Sequence, residues 1–196
     1  MKSTLLLFSF LLVSCTQKLP VEDFVAWHNQ EDNGLYESTE SGGYRFQLQY
    51  CPHELVALRN ASEISNINKE DFVEEVEELK GYQFFNLRIS SLSNADFLRT
   101  NLSSQEEYYQ RIAYFSSFAQ TDFKLVEARD TLECIMYHFE RNYGIQPFQT
   151  VLLGFKNTTD PPEDKEVVYL DRILGLDPVR IKIESKNLKH IPKLSL

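Results

Sequence analysis

Two strand-like runs, residues 131–140 and 146–155, stand five residues apart, and this arrangement restricts the fold more than any other feature of the chain. The connector Arg141-Asn142-Tyr143-Gly144-Ile145 offers Asn and Gly for the positive φ of a tight reversal, so the runs read as an antiparallel hairpin. One parity of the first run carries Ile135, Tyr137 and Phe139, and the other carries Leu132, Cys134, Met136 and His138. The first set is expected on the dry face of a central hairpin. Because the second set is also largely apolar, helices are expected over both faces.

The rest of the chain supplies partners for that hairpin. After Gly42-Gly43, Tyr44, Phe46, Leu48 and Tyr50 alternate with Arg45, Gln47, Gln49 and Cys51, the period of a strand with one wet face. Pro52 ends this run and suits the first turn of a helix through Leu55, Ala57 and Leu58. Asn68 is placed to cap a second helix with the apolar stripe Phe72, Val73, Val76 and Leu79, and Gly81 stops it. Phe85, Leu87 and Ile89 predict a strand, Ser104-Gln105-Glu106-Glu107 is a capping box, and 123–127 and 179–183 are further strands. Upstream, Val21, Phe24, Val25 and Trp27 form a loosely helical face that Glu31-Asp32-Asn33-Gly34 breaks. Strands outnumber long helices and the clearest pair is antiparallel, so the expected class is α+β: a single domain, mainly antiparallel sheet with several packed helices.

The first residues give an address. Lys2 precedes an apolar run from Leu5 to Val13 that is far shorter than the roughly 20 residues a bilayer-spanning helix needs. It ends in Leu12-Val13-Ser14-Cys15, a lipobox, at which a bacterial cell attaches diacylglycerol to the cysteine and cuts before it. Residues 1–14 are therefore expected as a signal peptide, Cys15 as the lipidated residue, 15–20 as a tether and 21–196 as one globular domain. Diacylglycerol with an N-acyl group such as palmitate exceeds the two hydrophobic anchors that stable attachment takes. Thr16, rather than an aspartate, follows the cysteine, which favours the outer membrane facing the periplasm.

Charge narrows the partners. Taking one lysine and no acid from 20 basic and 29 acidic side chains leaves the chain after residue 14 at a net charge of minus ten. An acidic surface of this kind argues against nucleic acid and against an anionic lipid surface. The partners implied are the membrane, through the lipid, and another envelope protein.

Further residues carry a resemblance. The lipobox, the strand Gly42-Gly43-Tyr44-Arg45-Phe46-Gln47-Leu48-Gln49-Tyr50 running into Pro52 and Glu54-Leu55, Tyr137-His138-Phe139-Glu140-Arg141, Leu153-Gly154-Phe155 and Ile191-Pro192-Lys193-Leu194 together resemble a family of uncharacterised cell-envelope lipoproteins from Bacteroidota-type bacteria. The resemblance implies a cell-envelope address and a single domain, and it implies no catalytic residue.

Chemistry-bearing residues are sparse. Cys51 and His53 lie two apart, and Cys134 and His138 lie four apart, which in a regular strand puts both on one face. Two cysteines with two histidines form a tetrahedral zinc set, and a cysteine beside a histidine is a nucleophile with its base, but the spacing departs from close metal-ligand pairs and no glycine-rich nucleophile turn introduces either cysteine. No metal, cofactor or catalytic residue is expected. Asp130-Thr131-Leu132 matches a short Asp-Ser/Thr-aliphatic acceptor, making Thr131 a candidate for O-glycosylation. Trp27, Tyr108, Tyr109 and Phe115 could line a site for an apolar or carbohydrate ligand, although aromatics at helical spacing most simply build a core. Cys51 and Cys134 are expected to be unpaired, Cys134 buried and Cys51 partly exposed. The expected role is that of a lipid-anchored interaction or support protein, with a small-ligand binding module as the alternative and a hydrolase after that.

Overall fold

The computed structural model describes residues 17–61, 66–142, 145–159 and 162–196, so the expected leader and lipidated Cys15 lie outside the described residues, as do Tyr143 and Gly144 of the hairpin connector. The stretch expected as a tether enters the fold at once. Strand β1 (Lys18–Pro20) pairs in parallel with the last strand, β10 (Lys193–Ser195), and leads into helix α1 (Val21–His28).

The main body is an antiparallel sheet of eight strands: β2 (Tyr36–Ser41), β3 (Tyr44–Cys51), β4 (Tyr82–Ser91), β5 (Phe123–Glu127), β6 (Asp130–Glu140), β7 (Phe148–Lys156), β8 (Lys165–Tyr169) and β9 (Val179–Ile183). Their spatial order is β2-β3-β4-β7-β6-β5-β8-β9, and the two edges, β2 and β9, lie against each other, so the sheet curls nearly into a barrel. The predicted hairpin is at its centre, between β4 and β5. The α+β class is correct, with the sheet dominant.

Gly42 and Gly43 do more than open a strand. Both have positive φ, +57° and +86°, the geometry of a two-residue reversal that joins β2 to β3. A Cβ at Gly42 would also come within 2.1 Å of the end of the Leu176 side chain, which would have to move, so the positive φ and the close approach both favour glycine.

The core fills the curl. Phe46, Phe85, Phe123, Phe155 and Tyr169 are buried inside it, with Phe123 and Tyr169 stacked at 4.8 Å. One end is stoppered by a 3-10 turn (Phe97–Arg99), helix α4 (Gln105–Ala113), a π-helical turn (Tyr114–Phe118) and a second 3-10 turn (Ala119–Asp122). From this stopper Phe97 and Phe115 enter the core edge to face, 5.2 Å apart. The capping box holds: the Glu107 N–H donates to Ser104 Oγ at 3.2 Å, and Glu107 in turn accepts from the Ser103 N–H at 2.8 Å.

A second, smaller core lies outside the sheet. Helices α1, α2 (His53–Asn60) and α3 (Lys69–Leu79) place Phe24, Leu55, Leu58 and Phe72 together against the outer side of β3 and β4, where Cys51 also packs. Asn68 caps α3 as its position predicts, accepting from the N–H groups of Glu70 and Asp71. A short helix, α5 (Ser185–Leu188), precedes β10.

The expected facing of β6 is corrected by one irregularity. The register with β7 shifts between Cys134 and Met136, a β-bulge at Ile135. Before it, Leu132 and Cys134 point inward; after it, Tyr137 and Phe139 do. Ile135 itself is 47% exposed rather than core, and Met136 and His138 face out. The expectation of helices over both faces is likewise corrected, because α1, α2 and α3 stop at β4 and leave Met136 and His138 exposed.

Candidate binding groove

The outer face, covered by helices over β3 and β4 and open over β7 and β6, has a floor made of two rows of side chains. Cross-strand pairing aligns Cys51, Phe84, Gly154 and Met136 in one row and Gln49, Asn86, Leu152 and His138 in the next. Each row crosses β3, β4, β7 and β6, and alternation of the pleat keeps all eight residues on the outer side. Helix α2 rises beside these rows, and its Val56 and Arg59 form one wall of a groove of about 260 Å³.

Gly154 creates the hollow. A Cβ there would sit 2.8 Å from the Cβ of Met136, so glycine lets the floor dip between Phe84 and Met136. The lining side chains are otherwise apolar, with Val56, Phe84, Met136 and Leu152, and polar ones enter only from Cys51, Arg59 and His138; Leu153 and Tyr137, whose side chains point into the curl, also border it.

Arg59 is the charged group of the groove. Its guanidinium donates to Cys51 Sγ at 3.4 Å and to Gln49 Oε1 at a long 3.4 Å, and among the described residues no carboxylate pairs with it. Burial pushes the Cys51 thiol above its usual range, against the opposing pull of Arg59, so the sulfur does not offset the charge of the guanidinium, which is exposed to solvent. Two buried acceptors have no partner among the described residues: Asn86 Oδ1, in the second row, and Nε2 of His28, the last residue of α1, whose carbonyl accepts from Gln49 of the same row.

The other charged clusters are closed on themselves. Glu127 is held by Lys165, Thr159 and Gln83 at the end of the curl away from the stopper. Asp122, at the π-helical stopper, accepts from Tyr114 at 2.7 Å and pairs with Arg172 at 2.7 Å. A larger groove of about 520 Å³ follows the seam between α3 and the β1–β10 pair, where Lys18, Lys69 and Lys193 share the rim with Glu54 and Glu77. Its charges are mixed in sign.

The residues singled out from the sequence fall apart accordingly. Cys134 is buried inside the curl and donates to the Met136 carbonyl at 3.1 Å, whereas His138 faces out, because the bulge between them reverses the parity that a regular strand would keep. His53 turns away from Cys51 to the Tyr82 carbonyl, 2.8 Å off. No cluster of three metal-ligating side chains exists among the described residues. Both cysteines are free, as expected, but Cys51 is buried under α2 rather than partly exposed.

Of the aromatic residues, Phe115 is wholly buried, Trp27 packs against the main core, and Arg99 covers Tyr108 with its guanidinium 4.0 Å from the ring centre. Tyr109 is exposed. They do not converge on a concave site. Thr131 is exposed near the start of β6, two residues past the β5–β6 reversal at Ala128 and Arg129. The groove itself was missed from the sequence; the one available sign of it was a glycine within an otherwise bulky strand at Leu153-Gly154-Phe155.

No family model matches the chain, and no curated protein sequence does. A solved structure of a protein of unknown function from Burkholderia pseudomallei is similar at 8% identity, covering 88% of this chain and 92% of the other, with a TM-score of 0.37.

Proposed function

We propose that the chain is a cell-envelope protein, lipid-anchored through Cys15 at the outer membrane and facing the periplasm, whose role is to dock another envelope component on the outer face of its sheet. The lipobox supports the address, and kinship with the Bacteroidota-type lipoproteins belongs to the same reading. The observation that carries the docking role is the contrast between the groups: Glu127 and Asp122 are satisfied by their own neighbours, while the open apolar groove keeps Arg59 without a carboxylate. Apolar floors with one committed charge are how binding surfaces combine affinity with selectivity. The same reading puts an O-linked glycan on Thr131, whose exposure leaves it accessible.

The address is tested by fractionating cells that carry the native chain or Cys15→Ala. The native protein is expected in the membrane fraction with a lipid-sized mass increase at its N-terminus, and Cys15→Ala is expected to lose both. A Cys15→Ala chain that stays wholly with membranes at unchanged N-terminal mass contradicts the anchor.

A further inference from the structure

We infer that the groove between α2 and the outer face of β4, β7 and β6 takes a protein segment in which an apolar side chain is followed by an acidic one, the first filling the hollow over Gly154 and the second pairing with Arg59. This rests on the docking role proposed above. Three observations choose the occupant.

The first is size. At about 260 Å³ the hollow is at the lower end of the roughly 300–1,000 Å³ that small-molecule sites occupy, and is filled by one large side chain. The second is charge. Arg59 is exposed on the wall with no carboxylate in ion-pair distance among the described residues, and its contact with Gln49 Oε1, at 3.4 Å, is longer than the 2.7–2.9 Å that charged pairs adopt, so its donors are open to an acidic partner. The third is the position of that charge. Arg59 stands on the α2 wall beside the apolar floor, so a carboxylate that pairs with it lies next to the group that fills the hollow. Met136 and Phe84 give the floor an adaptable thioether beside a flat aromatic ring, a surface that moulds to different apolar anchors.

The chain provides its own reporter. It has two methionines, Met1 and Met136, so a chain from residue 15 onward carrying Cys15→Ser has one methyl-labelled methionine, on the floor of the groove. The probes are acetyl-Phe-Glu-amide, acetyl-Phe-Gln-amide and decanoate, each titrated while the Met136 methyl resonance is followed. The Glu peptide is expected to shift that resonance saturably, about fivefold more tightly than the Gln peptide. Arg59→Gln is expected to bring the two peptides to equal affinity while both still bind.

Equal affinity of the two peptides in the unsubstituted chain overturns the inference and leaves the docking groove standing. A saturable shift with decanoate and none with either peptide overturns it in favour of a small amphiphile. No shift with any of the three overturns both the inference and the docking role. The comparison within the unsubstituted chain decides the matter even if Arg59→Gln does not fold.

Discussion

Lys165 and Glu127 face each other directly across β5 and β8, their side chains 3% and 0% exposed, and form an ion pair inside the curl of the sheet. Gln83 completes the arrangement from β4, accepting from Lys165 at 2.7 Å and donating to Glu127 at 3.0 Å. Burial alone would raise the Glu127 pKa, but the hydrogen bonds from Lys165, Thr159 and Gln83 outweigh it and hold the carboxyl below its ordinary 4.5. The pair ties strands that are far apart in sequence.

Removing one partner of this pair is predicted to cost far more than removing both. Lys165→Met strands a buried carboxylate and should lower unfolding free energy by about 3–5 kcal/mol, whereas Lys165→Met with Glu127→Leu should recover most of that loss. Urea unfolding of the three proteins checks it. A single and a double variant of equal stability would show that the pair is not buried as described.

The bulge in β6 makes a prediction opposite to the one that strand alternation gives. Ile135→Asp, at a half-exposed position, should change stability by less than about 1 kcal/mol. Val151→Asp, on the neighbouring strand and wholly buried, should cost several kcal/mol and unfold much of the protein. Thermal melts of the two variants distinguish the bulged register from a regular one.

His28 should make the fold acid-sensitive. Burial lowers its pKa from 6.5, opposed by the hydrogen bond to the Phe24 carbonyl, so the folded chain binds its proton less readily than the unfolded chain. Stability from this group is complete above about pH 6.5 and is lost as pH falls from there through the lower folded value. Unfolding free energy measured between pH 8 and pH 5 should decline, and His28→Leu should flatten the decline. A profile that keeps its slope in His28→Leu would assign the sensitivity to other groups.

The thiols should report the two separate cores. Cys51 and Cys134 are buried on opposite sides of the sheet and unbridged, and burial raises the Cys134 thiol to about 11. Both should resist a maleimide in native protein and both should react on unfolding without reductant. A need for reductant before either reacts would mean that they are bridged.

What could be read in advance followed physical regularity. The strand at Tyr44 to Cys51, the Asn68 cap and the Ser104 box were legible because alternation and capping are local. Strand β2 was not, since Glu37-Ser38-Thr39-Glu40 has no apolar parity and gains its place only by pairing with β3. In β8, Lys165 occupies an inward position that alternation reserves for an apolar side chain, and Glu127, 38 residues earlier, together with Gln83 makes it tolerable there. The groove was hidden for the same reason: its rows join β3, β4, β7 and β6, and a bulge that no local pattern announces turns Met136 and His138 outward.

The claim that the outer face of the sheet docks a partner at the membrane is tested most directly by a photo-crosslinking residue placed at Met136, and separately at the exposed Val73 on the α3 seam, in lipidated protein in its own cells. The account predicts a discrete adduct in the membrane fraction from position 136, weakened by Arg59→Gln, and none of that size from position 73. An adduct formed equally from both positions, or from 73 alone, or one indifferent to Arg59→Gln, contradicts it.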